Sequence, residues 1–96
     1  MACTVIFEMK EKPGRRGDIE ALLAEFLPVT REYEGCISIE AFGNRDDDGV
    51  LCVEQWQSRP HYDAYLAWRI ERGDIDRVVQ LCADQPSVRF FEALSA

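Results

Sequence analysis

The order in which hydrophobic periodicity changes along the chain constrains its fold more than any other feature. Strand-like patterns occur in four segments, residues 3–9, 36–42, 50–57 and 88–91. Helical spacing of apolar residues covers 16–33 and resumes after Ser58, which can cap the second helix. The predicted order is therefore strand, helix, strand, strand, helix, strand.

Turn and cap residues mark the boundaries of these segments. Lys12-Pro13-Gly14 breaks the first strand, and Gly35 is predicted to end the first helix as a left-handed cap. Pro28 lies inside that helix and predicts that it kinks or tightens there, because proline lacks a backbone donor. Residues 43–49 are mostly turn formers, so the second and third strands should pair as a hairpin. Gly73 is predicted to stop the second helix and start another short one.

This order indicates an α+β fold of the ferredoxin-like βαββαβ type, the split βαβ arrangement with a four-stranded antiparallel sheet. We expect residues 1–96 to form a single domain. Helices can cover only one sheet face, yet both faces of the predicted strands are apolar, with Leu51 and Val53 on one and Cys52 and Trp56 on the other. The uncovered face is expected to pack against a second copy and to form a homodimer.

Composition disfavours several classes of partner. The formal charge is -7, from 18 acidic and 11 basic residues. Such a chain repels phosphate backbones and offers no basic face to an anionic membrane, so nucleic acid and lipid surfaces are not expected partners. The N-terminus lacks the pattern of a secretion signal, and no segment reaches membrane-spanning length. A cytoplasmic location is expected.

Metal sites and disulfides find little support in the sequence. The cysteines are far apart and form no CxxC pair: Cys3, Cys36, Cys52 and Cys82. We expect them to be reduced, and His61, the single histidine, is expected to be solvated. Residues 44–49 resemble the start of a calcium-binding loop, but the twelfth position holds Gln55 instead of a bidentate glutamate. A solvated hairpin turn is the favoured interpretation.

Glu54 and Trp56 are the most suggestive pair, because residues two apart on a strand point to the same face. Trp56 can floor a pocket or pack in the core, and the sequence favours neither. Glu54 can act as a general base if burial raises its pKa toward neutrality. The alternative, an ion pair with an arginine such as Arg89, is the favoured expectation.

Aromatic residues follow on the second helix. Tyr62 and Tyr65 share a helix side with Leu66, and each hydroxyl can either satisfy a polar partner or face a cleft. Trp68 lies one turn beyond Tyr65. It can rim a pocket or join a dimer contact, and both alternatives remain open.

Three short motifs, in this order, resemble the antibiotic biosynthesis monooxygenase family of dimeric α+β barrels. They are Lys12-Pro13-Gly14, Glu34-Gly35-Cys36 and Glu54-Gln55-Trp56. The resemblance spans nearly the whole chain. It implies a ferredoxin-like protomer, a dimer formed through the sheets and a pocket between sheet and helices in each protomer.

The resemblance also implies which residues line the pocket. Cofactor-free oxygenases of this family have a tryptophan and a tyrosine at the positions of Trp56 and Tyr62. Their asparagine is replaced here by Cys52. The haem-degrading branch uses an asparagine on the first strand and a helix histidine; the first strand here has no asparagine, and Tyr65 stands at the histidine position. Haem degradation is therefore not expected, and neither a cofactor nor a metal is predicted.

The leading hypothesis is a cofactor-independent monooxygenase that oxidises a small electron-rich aromatic or enolisable substrate with O2. Tyr62 would help to deprotonate the substrate and Trp56 would pack against its ring. Four further residues are expected to contact the substrate: Cys52, Glu54, Tyr65 and Trp68. The alternatives are a non-catalytic dimeric module that binds a small ligand, or a small-metabolite isomerase of the same fold.

Overall fold

A computed structural model describes residues 2–96 of the chain. The elements in chain order are β1 (Cys3–Met9), α1 (Arg16–Glu32), β2 (Cys36–Gly43), β3 (Val50–Trp56), α2 (Arg59–Glu71), α3 (Asp74–Leu81) and β4 (Ser87–Phe91). The strands form one sheet in the order β2-β3-β1-β4, and each neighbouring pair is antiparallel. The predicted ferredoxin-like α+β fold is confirmed.

The junction between α1 and β2 differs from the expectation. The helix continues through Pro28 and ends at Glu32, and Tyr33 then leaves it in an extended conformation. Gly35, with φ +91°, lies in the following turn, in which the Cys36 amide donates to the Tyr33 carbonyl at 3.0 Å. The prediction that Gly35 caps the helix is therefore wrong, because the chain straightens before reaching it.

The start and end of α2 follow the sequence signals. The Ser58 hydroxyl accepts a hydrogen bond from the His61 amide at 3.3 Å, and Pro60 occupies the first turn. The Ser58 hydroxyl also lies 2.6 Å from Nδ1 of His61, so this half-buried histidine packs against the helix start. Gly73, with φ +82°, separates α2 from α3.

The two faces of the sheet have different environments. The inner face packs against the helices and buries alternate residues of each central strand, among them Val5 and Met9 on β1 and Cys52 and Trp56 on β3. The outer face carries Ile6, Leu51 and Val53, which are only partly buried, and Phe42 and Phe91, which are about half exposed. Glu8, Glu40 and Arg89 lie among these outer residues, so the outer face is mixed, and only the inner face is covered by helices.

The hairpin between β2 and β3 is fixed by an ion pair from outside the loop. Glu11 is buried, accepts a hydrogen bond from the Gly49 amide at 2.6 Å and pairs with Arg16. The Arg16 guanidinium donates to the carbonyls of Asn44 at 3.2 Å and Asp47 at 3.1 Å. Arginine therefore satisfies the loop carbonyls. Within residues 2–96, no cluster of histidine, cysteine or carboxylate side chains is arranged to hold a metal ion.

In the described part of the chain, no helix is both long and apolar enough to cross a membrane. All four cysteines are unpaired thiols.

Candidate functional site

A cavity of about 50 Å³ lies between the inner sheet face and the three helices. Most of its wall is apolar, with contributions from Met9 on β1, Leu23 on α1 and Val78 on α3. Its polar groups are provided by Thr30, Cys52, Glu54, Tyr62, Tyr65 and Arg69. A largely apolar space with a few convergent polar groups is typical of small-molecule sites.

Glu54 is a buried carboxyl group with one unpartnered oxygen. It lies on the inner face of β3, between Val5 and Ile39 of the neighbouring strands, and is 3% exposed. Its Oε1 accepts a hydrogen bond from Nε1 of Trp56 at 3.0 Å, and its Oε2 has no partner among residues 2–96. Burial raises the pKa of Glu54 to about 7, although the Trp56 hydrogen bond acts in the opposite direction. This group can therefore take up and release a proton near neutral pH.

The expected ion pair between Glu54 and Arg89 is wrong. Arg89 aligns with Ile6 of β1, which places it on the outer face, and it donates to Glu8 at 2.8 Å. Glu54 lies on the inner face. The two side chains are separated by the sheet itself, so they cannot form an ion pair.

Trp56 lies behind the cavity and not in its wall. It is fully buried, and its ring centroid lies 4.9 Å from that of Tyr65 and 5.5 Å from that of Tyr62. Its only ring donor is used by Glu54. The geometry supports core packing for Trp56 and gives it a second role, since it holds the Glu54 carboxyl group in place.

Tyr62 contributes a free hydroxyl to the same cavity. The residue is 1% exposed, and its ring packs edge-on against Trp56 and Phe90. The hydroxyl has no hydrogen-bond partner within residues 2–96. Every side-chain nitrogen or oxygen in that range that is fully buried does have a partner, so the Tyr62 hydroxyl is not fully buried, and it is accessible from the cavity that Tyr62 lines. Burial, reinforced by the nearby Glu54 charge, raises the pKa of Tyr62. This phenol keeps its proton and can donate it in a hydrogen bond.

Tyr65 belongs to a closed buried network that the sequence interpretation did not identify. The Thr30 hydroxyl donates to the Phe26 carbonyl at 3.0 Å and lies 2.7 Å from the Tyr65 hydroxyl. Nε of Arg69 donates to Tyr65 at 3.0 Å, and Nη1 donates to Asp74 at 2.8 Å. The Tyr65 hydroxyl is therefore already committed to protein partners.

Arg69 is the main residue of this network and is 3% exposed. The signal that could have identified it is its spacing, since it lies four residues after Tyr65 and seven after Tyr62 on one helix side. A cation on the apolar side of a helix needs a buried anion. Asp74, in the first turn of α3, provides it.

The two remaining candidates occupy different places. Cys52 is buried in the cavity wall, and burial raises the pKa of its thiol to about 12, so it remains protonated. Trp68 lies outside the cavity, half-buried, with its ring 5.0 Å from Tyr33 and below the Arg72 guanidinium. The cavity thus brings together Cys52, Glu54, Tyr62 and Tyr65. Trp56 lies behind it and Trp68 outside it.

Comparisons with known proteins agree with this architecture. Rv0793 from Mycobacterium tuberculosis superposes with a TM-score of 0.87 at 22% identity, over 100% of this chain and 98% of that one. A conserved protein from Methanosarcina mazei Go1 gives 0.86 at 14% identity, over 96% and 92%. An antibiotic biosynthesis monooxygenase gives 0.85 at 19% identity, over 96% and 98%. At these identities the likeness shows the fold alone.

The family is shown by the sequence. No curated protein matches the chain. The sequence profile of the antibiotic biosynthesis monooxygenase family matches residues 2–70, which include β1 to β3 and most of α2. The chain belongs to the antibiotic biosynthesis monooxygenase family.

Proposed function

We propose that the protein is a cofactor-independent monooxygenase acting on a compact electron-rich aromatic or enolisable substrate, with Glu54 as the base. This proposal rests on the presence of two polar atoms at one cavity, Oε2 of Glu54 and the Tyr62 hydroxyl, neither of which has a hydrogen-bond partner within residues 2–96. Burial raises both pKa values, so that Glu54 exchanges a proton near pH 7 and Tyr62 stays protonated. A carboxylate that accepts a proton beside a phenol that donates a hydrogen bond suits general base catalysis.

The geometry supports Glu54 as the base instead of the tyrosine favoured by the sequence. Glu54 removes a proton from an acidic C–H or O–H group, and Tyr62 donates a hydrogen bond to the oxygen on which negative charge develops. The substrate anion then reduces O2. For an enolisable substrate, a CH2 group becomes a carbonyl group, one atom of O2 enters the product, and the other leaves as water with the two hydrogens. For hydroquinone, one ring C–H group becomes C–OH and the two hydroxyl groups become quinone carbonyls, so that hydroquinone and O2 give hydroxybenzoquinone and water. The substrate supplies all the electrons.

The same pair of groups also supports a second candidate, an isomerase. A carboxylate base and a phenol donor can move a proton between two carbon atoms of an enolisable compound without O2. Product formation under anaerobic conditions would favour this candidate over oxygenation. Ligand binding without any product would favour the non-catalytic module.

Oxygen consumption tests the proposed function. Hydroquinone and acetylacetone serve as an aromatic and an enolisable probe for wild type, Glu54→Gln and Tyr62→Phe. We expect uptake above buffer with at least one probe, a loss of roughly 100-fold or more in Glu54→Gln and a smaller loss in Tyr62→Phe. Glu20→Gln, a carboxylate exposed on α1, is the matched control and should retain full activity. Uptake by Glu54→Gln equal to that of wild type would show that Glu54 is not the base.

We further propose that a second copy covers the outer sheet face. Ile6 and Val53 are paired across β1 and β3 at the centre of that face, and Phe42 and Phe91 extend the apolar surface toward the two edges. Monomers rarely leave a continuous apolar patch on a sheet exposed to water. Packing of two such faces would form an isologous dimer and leave each cavity on its own protomer.

A further inference from the structure

The cavity is smaller than any ligand that contains a ring. An apolar cavity of about 150 Å³ accommodates benzene, whereas this one measures about 50 Å³. One ring therefore needs about 100 Å³ of additional space, and part of the wall has to move when it binds. A second ring requires a larger displacement still.

Helix α3 is the part of the wall that can move at the lowest cost. The strand residues of the wall belong to a hydrogen-bonded sheet, and α1 and α2 contain 17 and 13 residues. α3 has eight residues, packs against α1 and α2, and contributes Ile75 and Val78 to the wall. It follows α2 directly through Gly73, whose φ of +82° favours glycine. A shift of α3 breaks no hydrogen bond of the sheet.

The contacts of α3 allow it to roll while its ends stay attached. Asp74 is held in a buried ion pair at the first residue, and the Leu81 carbonyl accepts from the Lys12 amide at 2.9 Å at the last. Between these ends, Arg77 pairs with Glu25 on α1 at 2.7 Å, with both side chains about half exposed. Exposed pairs of this kind contribute little to stability. A roll about the line between the two ends would turn Val78 away from the cavity.

The charges around the cavity exclude anions. The three nitrogens of Arg69 donate to Tyr65, to Asp74, and to Thr30 and the Phe26 carbonyl, so the cation in the wall is already neutralised and hydrogen-bonded. Glu54 is negative above its pKa of about 7. A carboxylate ligand would therefore be buried beside a like charge without a counterion, which is strongly unfavourable in an apolar site.

Building on the function proposed above, which takes this cavity as the substrate site, we propose that it accepts neutral ligands with a single ring and that Ile75 and Val78 on α3 set the size limit. Neutral single-ring phenols have this chemistry. Fused polycyclic compounds and aromatic carboxylates do not.

Binding of three probes to the 15N-labelled protein, followed by NMR at pH 8 without oxygen, tests the proposal. Phenol is neutral and has one ring, 2-naphthol is neutral and has two, and benzoate is anionic and has one. We expect saturable binding of phenol and dissociation constants at least about tenfold higher for the other two. The comparison is stringent because 2-naphthol is the more apolar compound and would bind more tightly to an unrestricted apolar site.

Matched variants assign the size limit to α3. Val78→Ala removes two methyl groups from the cavity wall, and Val79→Ala removes the same two groups from a neighbouring position that does not line it. The ratio of the 2-naphthol to the phenol dissociation constant should fall about fivefold or more in Val78→Ala and stay within about twofold of wild type in Val79→Ala. Ile75→Val provides a second variant if Val78→Ala fails to fold. At pH 8, Glu54→Gln should bind benzoate about tenfold more tightly than wild type.

Several results would overturn the proposal. They are the absence of saturable phenol binding, wild-type affinity for 2-naphthol or benzoate equal to that for phenol, and equal effects of the two alanine variants. Because binding is measured without oxygen, its result does not depend on whether the protein catalyses the proposed oxygenation. A protein that binds phenol selectively but consumes no O2 would refute the monooxygenase and retain this ligand preference.

Discussion

One apolar environment gives Glu54 and Tyr62 different proton-transfer properties. Burial favours the neutral form of both groups, but it acts on different ordinary pKa values, 4.5 for the carboxyl group and 10.0 for the phenol. The pKa of Glu54 is raised to about 7, within the physiological range, while that of Tyr62 is raised further above it. The proposed base and the proposed hydrogen-bond donor therefore differ in their ordinary pKa values and not in their location, since both line one cavity.

The raised pKa of Glu54 predicts a pH dependence of stability. The folded protein holds the Glu54 proton up to about pH 7, whereas the unfolded chain loses it near 4.5. The contribution of this bound proton to the free energy of unfolding is therefore complete below pH 4.5 and is lost as the pH rises through 7. The free energy of unfolding falls by roughly 3 kcal/mol in total. Urea unfolding of wild type and Glu54→Gln between pH 4.5 and 8 should show this loss only in wild type. The same slope in Glu54→Gln would contradict the assignment, and Glu20→Gln should behave as wild type.

The sequence predicted part of this site. Two-residue alternation placed Glu54 and Trp56 on one face, and helical spacing placed Tyr62 and Tyr65 on one side of α2, because both patterns are local. The predicted ion pair between Glu54 and Arg89 was wrong because it depends on which face of β4 carries Arg89, a property of strand register. The commitment of Tyr65 to Thr30 was equally hidden, since these residues are 35 positions apart.

At the scale of elements, the turn between α1 and β2 depends on one glycine. Gly35 has φ +91°, and a Cβ atom there would lie 2.5 Å from the side chain of His61 at the start of α2. Gly14 has a comparable φ of +78°, but a Cβ atom there would meet nothing within 4 Å. A side chain at either position would therefore be strained by the positive φ, but only at Gly35 would it also collide with His61.

Alanine substitutions at these two glycines should separate the two costs. Gly14→Ala should lower the free energy of unfolding by about 1 kcal/mol, the cost of a left-handed alanine. Gly35→Ala should lower it by about 2 to 4 kcal/mol, because overpacking against α2 is added. Equilibrium denaturation of both variants measures the difference. Equal losses would mean that α2 yields freely at His61 and that the junction is not tightly packed.

The limits of the elements were predictable because each depends on local periodicity and turn chemistry. The third strand, expected over 50–57, spans Val50–Trp56, and the last, expected over 88–91, spans Ser87–Phe91. The exit from α1 was not, since an extended Tyr33 replaces the expected glycine cap. The volume of the cavity was also beyond local patterns, because it depends on how closely three helices approach the sheet.

At the scale of the whole molecule, the outer sheet face is the main feature that one chain leaves unexplained. Its central ladder places Val53 between Ile6 and Glu40, with Leu51 paired to Phe42 beside it. Each protomer carries a net charge of -7, so association has to overcome electrostatic repulsion. Burial of these apolar side chains is the force available to do so, and a dimer held in this way should be sensitive to a charge at the centre of the face.

Val53→Lys should therefore separate the protomers. A lysine at this half-exposed position is solvated in a monomer, next to Glu40, but in an isologous dimer two such lysines would be buried near each other. Sedimentation velocity should give twice the protomer mass of 11.0 kDa for wild type and a dimer weakened at least about tenfold for the variant. Val29→Lys adds the same charge to an exposed valine on α1, away from the sheet, and should remain dimeric. A monomeric wild type would show that the proposed dimer does not form. A Val53→Lys variant as dimeric as Val29→Lys would show that the dimer contact lies elsewhere.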